Sequence, residues 1–169
     1  MAGPSVAVQL VPLDDEKYVE FVHGQLAEAA RQETLAGHWR PEEAEDRARE
    51  ELAGLISGEA RRTGHRFFEA VVPGTGRVGW IWEGPPPVSL GLVNTRWLYQ
   101  ITIDEAQRGK GLGRATLVGV EGMLRREGVE TIRLNVNRWN KVAVALYESS
   151  GYTYAYKGET DANLHKRLR

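Results

Sequence analysis

Leu98-Tyr99-Gln100-Ile101-Thr102-Ile103, followed by Gln107-Arg108-Gly109-Lys110-Gly111-Leu112-Gly113-Arg114, decides the fold of this chain. The first string alternates apolar and polar residues, the period of a strand with one buried face. After the glycines, Leu112, Thr116, Val120, Met123 and Leu124 trace one stripe of a helix that closes at Gly128. Thr131 to Val136 then reads as a second strand. A strand–helix–strand unit of this kind requires a right-handed crossover and two parallel strands.

Working outward, Val6 to Leu10 is a short apolar run ending near Pro12, read as a first strand. Asp14-Asp15-Glu16 opens a helix with acids at the positive end of its dipole, and Tyr18, Val22, Leu26 and Ala30 form its inner stripe up to Gly37. A second helix is expected after Pro41, with Ala44, Ala48, Leu52 and Leu55 inward and Glu42, Glu43, Asp46, Arg49 and Glu50 outward. Phe67–Val72 and Val78–Glu83 flank the turn cluster Pro73-Gly74-Thr75-Gly76, an antiparallel hairpin. Gly84 and Pro85-Pro86-Pro87 make a loop. Beyond the crossover come a short helix at Lys141–Ser149, stopped by Gly151, and final strands at Tyr152–Tyr156 and Leu164–Arg167. The pattern is α/β, a mixed, mainly antiparallel central sheet of about six to seven strands with helices on its faces.

The length of 169 residues suits one domain spanning 1–169. Cysteine is absent, which removes a thiol nucleophile, a disulfide framework and zinc sites built on Cys. Lys and Arg total 22 against 23 Asp and Glu, so nothing draws the whole chain to nucleic acid or an anionic membrane. No apolar run approaches the ~18 residues of a membrane span, and Met1 to Val6 lacks the basic and apolar regions of a secretory signal. The expectation is a cytoplasmic protein. His23, His38, His65 and His165 are scattered without metal-ligand spacing, so no metal site is expected.

Three glycines in five positions let the backbone adopt positive φ and approach a ligand closely. The N–H groups opening the next helix point into the loop, and Arg108, Lys110 and Arg114 add positive charge. That is a cradle for a diphosphate; its bland alternative is a tight turn with solvated basic residues. The string is not a P-loop, because no Gly precedes Gly-Lys-Ser/Thr by the required spacing. Nor is it the dinucleotide fingerprint, since position 114 is Arg rather than Gly or Ala. A second constellation holds Asn135, Asn137, Asn140, Tyr147 and Gly151-Tyr152. Asparagines at the end of a parallel strand face the crevice where open α/β sheets bind ligands. Asn140 is also a natural N-cap, and Tyr147 lies two helical turns beyond it, where a tyrosine reads as core packing when the segment is taken alone.

Together these strings resemble the GNAT-type N-acetyltransferases. Ile101-Thr102-Ile103 and, five residues on, Gly109-Lys110-Gly111-Leu112-Gly113-Arg114 are similar to the acyl-CoA-binding motif, whose Gln/Arg-x-x-Gly-x-Gly/Ala core is matched by Arg108, Gly111 and Gly113. Asn140 with Ala-Leu-Tyr-Glu-Ser-Ser-Gly-Tyr at 145–152 is similar to the next motif, so the acyl-CoA-binding core covers about 98–152. The resemblance implies acetyl-CoA as co-substrate, lying in a gap where the two parallel strands, 98–103 and 131–136, splay apart. It implies backbone groups around Ile101, Thr102 and Ile103 on the pantetheine arm and the N–H groups of Gly109 to Arg114 on the pyrophosphate. It implies a strand-bulge N–H at the reacting oxygen, Asn140 on the cofactor arm, and Tyr147 there too, as general acid to the departing thiolate.

The sequence departs from the resemblance at the base. Several relatives carry Glu where this chain has Asn135, and an amide does not accept a proton at neutral pH. Glu83, or a water held by Asn135 or Asn137, takes that place; Glu83 also reads as a solvated strand-end charge. The acceptor wall implied by the resemblance contains His38, Trp39, Trp82 and Trp97, with a small-molecule or peptide amine as partner. Dimers are common in such folds. Two other readings stay open on sequence: an acyl-CoA-binding module that transfers nothing, and a nucleotide-phosphate binder using the same cradle.

Overall fold

The structure, a computed structural model, describes residues 6–169. The chain divides into two compact units, Leu13–His65, and Arg66–Arg169 with the segment through Pro12.

The first unit is helical. Helix α1, Asp15–Leu35, begins where the Asp14 carboxylate accepts the Lys17 N–H at 2.9 Å, and it buries Tyr18, Phe21, Val22 and Leu26. Gly37, at φ 77°, turns the chain away. The single second helix expected from the pattern is instead three short ones: α2 (Ala44–Glu51), α3 (Ala53–Ile56) and α4 (Glu59–Arg62). Leu52 leaves helical geometry at ψ 21°, and Gly58 sits in the left-handed region at φ 72°, so the hydrogen-bond ladder is interrupted twice. The inner stripe survives the breaks, with Ala44, Ala48 and Leu55 buried. The Tyr18 hydroxyl donates to the Leu55 carbonyl at 2.8 Å and ties α3 to α1.

The second unit is a seven-stranded sheet in the order β1-β2-β3-β4-β5-β7-β6. Its strands are β1 (Gln9–Pro12), β2 (Arg66–Val72), β3 (Gly76–Gly84), β4 (Thr95–Ile103), β5 (Thr131–Asn137), β6 (Thr153–Lys157) and β7 (Asp161–Arg167). Only β4 and β5 run parallel. The expected first strand at Val6–Leu10 lies later, because register with β2 starts at Gln9↔Val71 and runs to Pro12↔Phe68. Pro12 is tolerated there because β1 is an edge strand and needs no donor on its outer side. The last strand begins at Asp161 rather than Leu164, since β7 pairs with β5 along the whole of β5.

Helix α5 (Leu112–Arg126) crosses from β4 to β5, and α6 (Lys141–Ser149) follows β5. Both pack on one face of the sheet. Leu117, Val120 and Leu124 meet Ile81, Leu98, Ile132, Leu134 and Leu164 there, all buried. Full burial of such a side chain stabilises by roughly 1.5–3 kcal/mol, so this stripe holds the crossover down.

Candidate active site

Between β4 and β5 the pairing covers only Thr95↔Thr131 to Leu98↔Leu134. Past that point β4 runs on to Ile103 and β5 to Asn137 without a mutual register. Each remains paired to its outer neighbour: β4 to β3 from Gln100↔Trp82 to Ile103↔Gly79, and β5 to β7 through Asn137↔Asp161. The inner edges therefore part while the outer edges stay fastened.

The parting starts at a bulge. Gln100 opposes Trp82 and Leu98 opposes Glu83, which leaves Tyr99 as the extra residue of β4. A bulge shifts side-chain parity and increases local twist. Accordingly Leu98, Ile101 and Ile103 all face the α5 core despite their uneven spacing. On the β3 side, a Cβ at Gly79 would stand 2.1 Å from the Thr102 carbonyl oxygen, so only glycine lets β3 approach the parted half of β4.

At the end of β4 the chain makes a short 3₁₀ turn, Glu105–Gln107, and enters the glycine loop. Gly109 and Gly111 both have φ 75°, and Gly111 caps α5. The first N–H bonded into the helix is that of Ala115, to the Gly111 carbonyl at 3.1 Å. The N–H groups from Gly109 to Arg114 precede it and have no acceptor among the described residues. Gly113 has another role, since a Cβ there would lie at ordinary contact, 3.5 Å, from Leu146 Cδ2 on α6. The basic residues brace the loop. Arg108 Nε donates to the Ile103 carbonyl at 3.0 Å, Lys110 Nζ to Gln107 Oε1 at 3.0 Å, and Arg114 to Ser149 Oγ at 2.6 Å and Ser150 Oγ at 3.1 Å. A groove of about 430 Å³ continues from the loop, lined by Lys110, Gly111, Arg114, Val118 and the segment from Val6 to Val8.

On α6, Asn140 accepts the Ala143 N–H at 3.1 Å, the cap its sequence position suggests, and its side-chain NH2 has no partner among the described residues. Two turns on, Tyr147 is 8% exposed and stands edge-on to Tyr152, centroids 5.5 Å apart. Burial pushes the Tyr147 hydroxyl up to about pKa 12, so it holds its proton at neutral pH.

Glu83 is not the solvated strand-end charge the sequence suggests. It is fully buried on the α5 face, bonded to Arg66 and to Arg96, whose Nε donates at 2.8 Å. Arg66 in turn grips Glu127 at 2.8 and 2.9 Å, and that bond holds the Glu127 carboxyl below the ordinary carboxylate range. The alternation Ile81, Glu83 carries the signal, because it places both on the core face. A second buried charge was hidden in α5. Glu121, between Leu117 and Leu124 on the inner stripe, is 5% exposed and accepts from Lys166 Nζ at 2.7 Å. Beside it, the Tyr152 hydroxyl is buried without a partner, and burial first and the Glu121 charge second raise its pKa.

The opposite face of the sheet is aromatic over β2 to β4. Trp82 stacks on Phe67 at 5.6 Å and on Tyr99 at 4.8 Å, and Trp97 lies 6.4 Å from Tyr99. Trp82 and Trp97 thus come together around the bulge, with Tyr99, which sequence reasoning passed over. Trp39 and His38 belong to the helical unit, where His38 Nδ1 lies 2.7 Å from Glu33. Asn135 and Asn137 lie exposed on this aromatic side of β5, and Asn135 is 2.8 Å from Asn163. Among the described residues no group of three or more His, Cys, Asp or Glu could hold a metal, and no helix is long and apolar enough to cross a membrane.

The model of the acetyltransferase (GNAT) family matches residues 26–152. The Bacillus subtilis (strain 168) protein YdgE, described as an uncharacterized N-acetyltransferase, is 27% identical over 163 residues, 96% of this chain and 99% of its own. Among solved structures, YycN of Bacillus subtilis superposes with a TM-score of 0.78 at 22% identity, over 91% of this chain and 97% of that one. The spermidine N-acetyltransferase of Vibrio cholerae, in complex with CoA and spermine, gives 0.67 at 18% identity, over 95% of each chain. The chain belongs to the acetyltransferase (GNAT) family of N-acetyltransferases.

Proposed function

We propose that this protein moves an acetyl group directly from acetyl-CoA to a primary amine of a small molecule or peptide, both substrates being bound together. The observation that carries the reading is the parted half of β4 and β5, ending at six consecutive open N–H groups.

The residues present fit acetyl-CoA. A pyrophosphate in the loop meets the N–H groups of Gly109 to Arg114 at the positive end of α5, with Arg108, Lys110 and Arg114 supplying charge nearby. The free inner edge of β4, Gln100 to Ile103, pairs with an amide-bearing arm as one strand pairs with another. Asn140 offers its side-chain NH2 to the same arm. The groove beside Lys110 and Arg114 is of a size to take a nucleotide end. When bound, the co-substrate supplies a thioester, an acyl carbon with a good leaving group.

The protein's own groups arrange the rest. The family resemblance implies that an N–H of the β4 bulge serves the reacting oxygen; such a donor is worth about 3–4 kcal/mol in other acyl-transfer enzymes. The α5 face is filled by core, so the amine approaches from the face of Trp82, Tyr99 and Trp97. A water held by Asn135 or Asn137 takes the proton that the amine loses as its new N–C bond forms. Tyr147 gives its proton to sulfur as the C–S bond breaks, and the high pKa keeps that proton available at neutral pH. Glu83, gripped by two guanidinium groups on the core face, acts as a structural counter-ion.

Thermal-shift titration with acetyl-CoA and longer acyl-CoAs, followed by CoA release against an amine panel, tests this. A rise in melting temperature and amine-dependent release are expected. Protection by ATP or NAD equal to that by CoA would overturn the reading, and binding without release with any amine would leave an acyl-CoA-binding module.

A further inference from the structure

On the aromatic side of the sheet, Arg133 has no counter-ion among the described residues. Arg133, the third residue of β5, is half-buried and its Nε is shut away from solvent without a hydrogen-bond partner among the described residues. Its guanidinium carbon lies 5.9 Å from the centroid of the Trp97 ring. That lies at the outer limit of a useful cation–π contact. Arg66 and Arg96, by contrast, are both closed by carboxylates. A buried donor left unsatisfied is costly, and a planar fork of N–H groups is the side chain best matched to an oxyanion.

The register places this fork. Arg133 is opposite Trp97 on β4 and opposite His165 on β7, so the three form one row across the sheet. The next row toward the gap holds Asn135 and Asn163. One strand repeat of two residues is about 6.6–6.8 Å, so Arg133 stands that far behind the point where β4 and β5 part. A small molecule gripped there by an oxyanion places an amine a few bonds away in the opening. A polyamine would instead bring its second positive charge against Arg133.

We propose that Arg133 is a specificity-determining residue that binds an oxyanion, carboxylate or phosphate, on the acceptor, so that the amine acetylated is part of an amino-acid-like or phosphate-bearing molecule. This rests on the acetyltransferase reading above. The experiment compares matched acceptors: phenylalanine with phenethylamine, alanine with ethylamine, O-phosphoethanolamine with ethanolamine, and spermidine as the cationic extreme. For the wild-type chain, kcat/KM is expected to favour the oxyanion-bearing member over the partner that lacks the group by about tenfold to a hundredfold, the range of a charge-assisted hydrogen bond pair. The phosphate and carboxylate arms identify which oxyanion is read. Arg133→Gln should erase the preference, chiefly through KM, and Arg133→Lys should restore part of it, because a point charge lacks the fork. Calorimetry with the preferred acceptor and CoA, carried out on each variant, reads the same loss without turnover. Preference for the amines without an oxyanion or for spermidine in the wild-type chain overturns the proposal, as does an equal loss on acceptors with and without the oxyanion in Arg133→Gln. If acetyl-CoA produces no thermal shift in the wild-type chain, the acetyltransferase reading fails instead.

Discussion

The two halves of the β4–β5 pair are built to opposite ends. From Thr95 to Leu98 the strands are zipped, their core face is packed with Leu98 and Leu134, and the adjacent charges of Glu83, Arg66, Arg96 and Glu127 satisfy one another. From Tyr99 onward the strands part, backbone groups lose their mutual partners, and the neighbouring polar atoms are left open: the N–H groups of the glycine loop and the Asn140 amide. The same two strands thus supply stability at one end and binding at the other. Unpaired backbone is costly when nothing fills it, so its presence inside a sheet marks where a ligand is meant to pair.

The comparison breaks most severely at Gly79, which lets β3 hold the parted half of β4 from outside. Gly79→Ala forces a Cβ onto the Thr102 carbonyl, and a loss of about 4 kcal/mol or more is expected, seen as failure to fold or a collapse in denaturant midpoint. At the open end, Tyr147→Phe should lower kcat by roughly 10²–10⁴-fold, the span of one acid–base group, while the acetyl-CoA-induced thermal shift is retained. Unchanged turnover would remove Tyr147 from the acid's role.

Glu83→Gln sharpens the contrast from the closed end. It strips the counter-ion from Arg96 and Arg66, and a destabilisation of about 2–4 kcal/mol is expected, discounted because both arginines reach partial solvent exposure. Activity per folded molecule should be kept; a dead but stable variant would make Glu83 the base.

Burial of Tyr147 also has a pH signature. Its folded pKa of about 12 stands above that of a free tyrosine near 10, so its contribution is whole below about pH 10 and is lost as pH rises toward 12. Unfolding free energy should fall across that window, and Tyr147→Phe should flatten the fall by about 2–3 kcal/mol, with Tyr152 contributing in the same direction in both proteins. The smallest effect separates neighbouring glycines. Gly111→Ala, at φ 75°, should cost about 1–2 kcal/mol and weaken CoA binding, whereas Gly113→Ala, with room for a Cβ, should stay within about 0.5 kcal/mol.

Much of this was legible residue by residue. The stripe Leu112, Thr116, Val120 and Leu124 marks α5, and Lys141–Ser149 is helical as its Asn140 cap and Gly151 stop indicate. Glu83 and Glu121 are cases where period outweighs charge: each falls on a buried face set by Ile81 or by Leu117 and Leu124. The broken helix after Pro41 shows the reverse, where an unbroken apolar stripe masked two interruptions of the backbone.

The sequence by itself determined what depends on near neighbours: strand and helix periods, the glycines that allow positive φ, and the loop of open N–H groups at a helix start. Tertiary structure decided everything that needs partners distant along the chain. Only the register of β3 with β4 reveals Tyr99 as a bulge, and only the register of β4 with β5 shows where the two strands part. Arg96 and Glu83, Lys166 and Glu121, and the row of Trp97, Arg133 and His165 meet through long-range pairing. Local propensity is read over a few residues, whereas burial and charge compensation are properties of the packed neighbours, which one strand cannot specify alone.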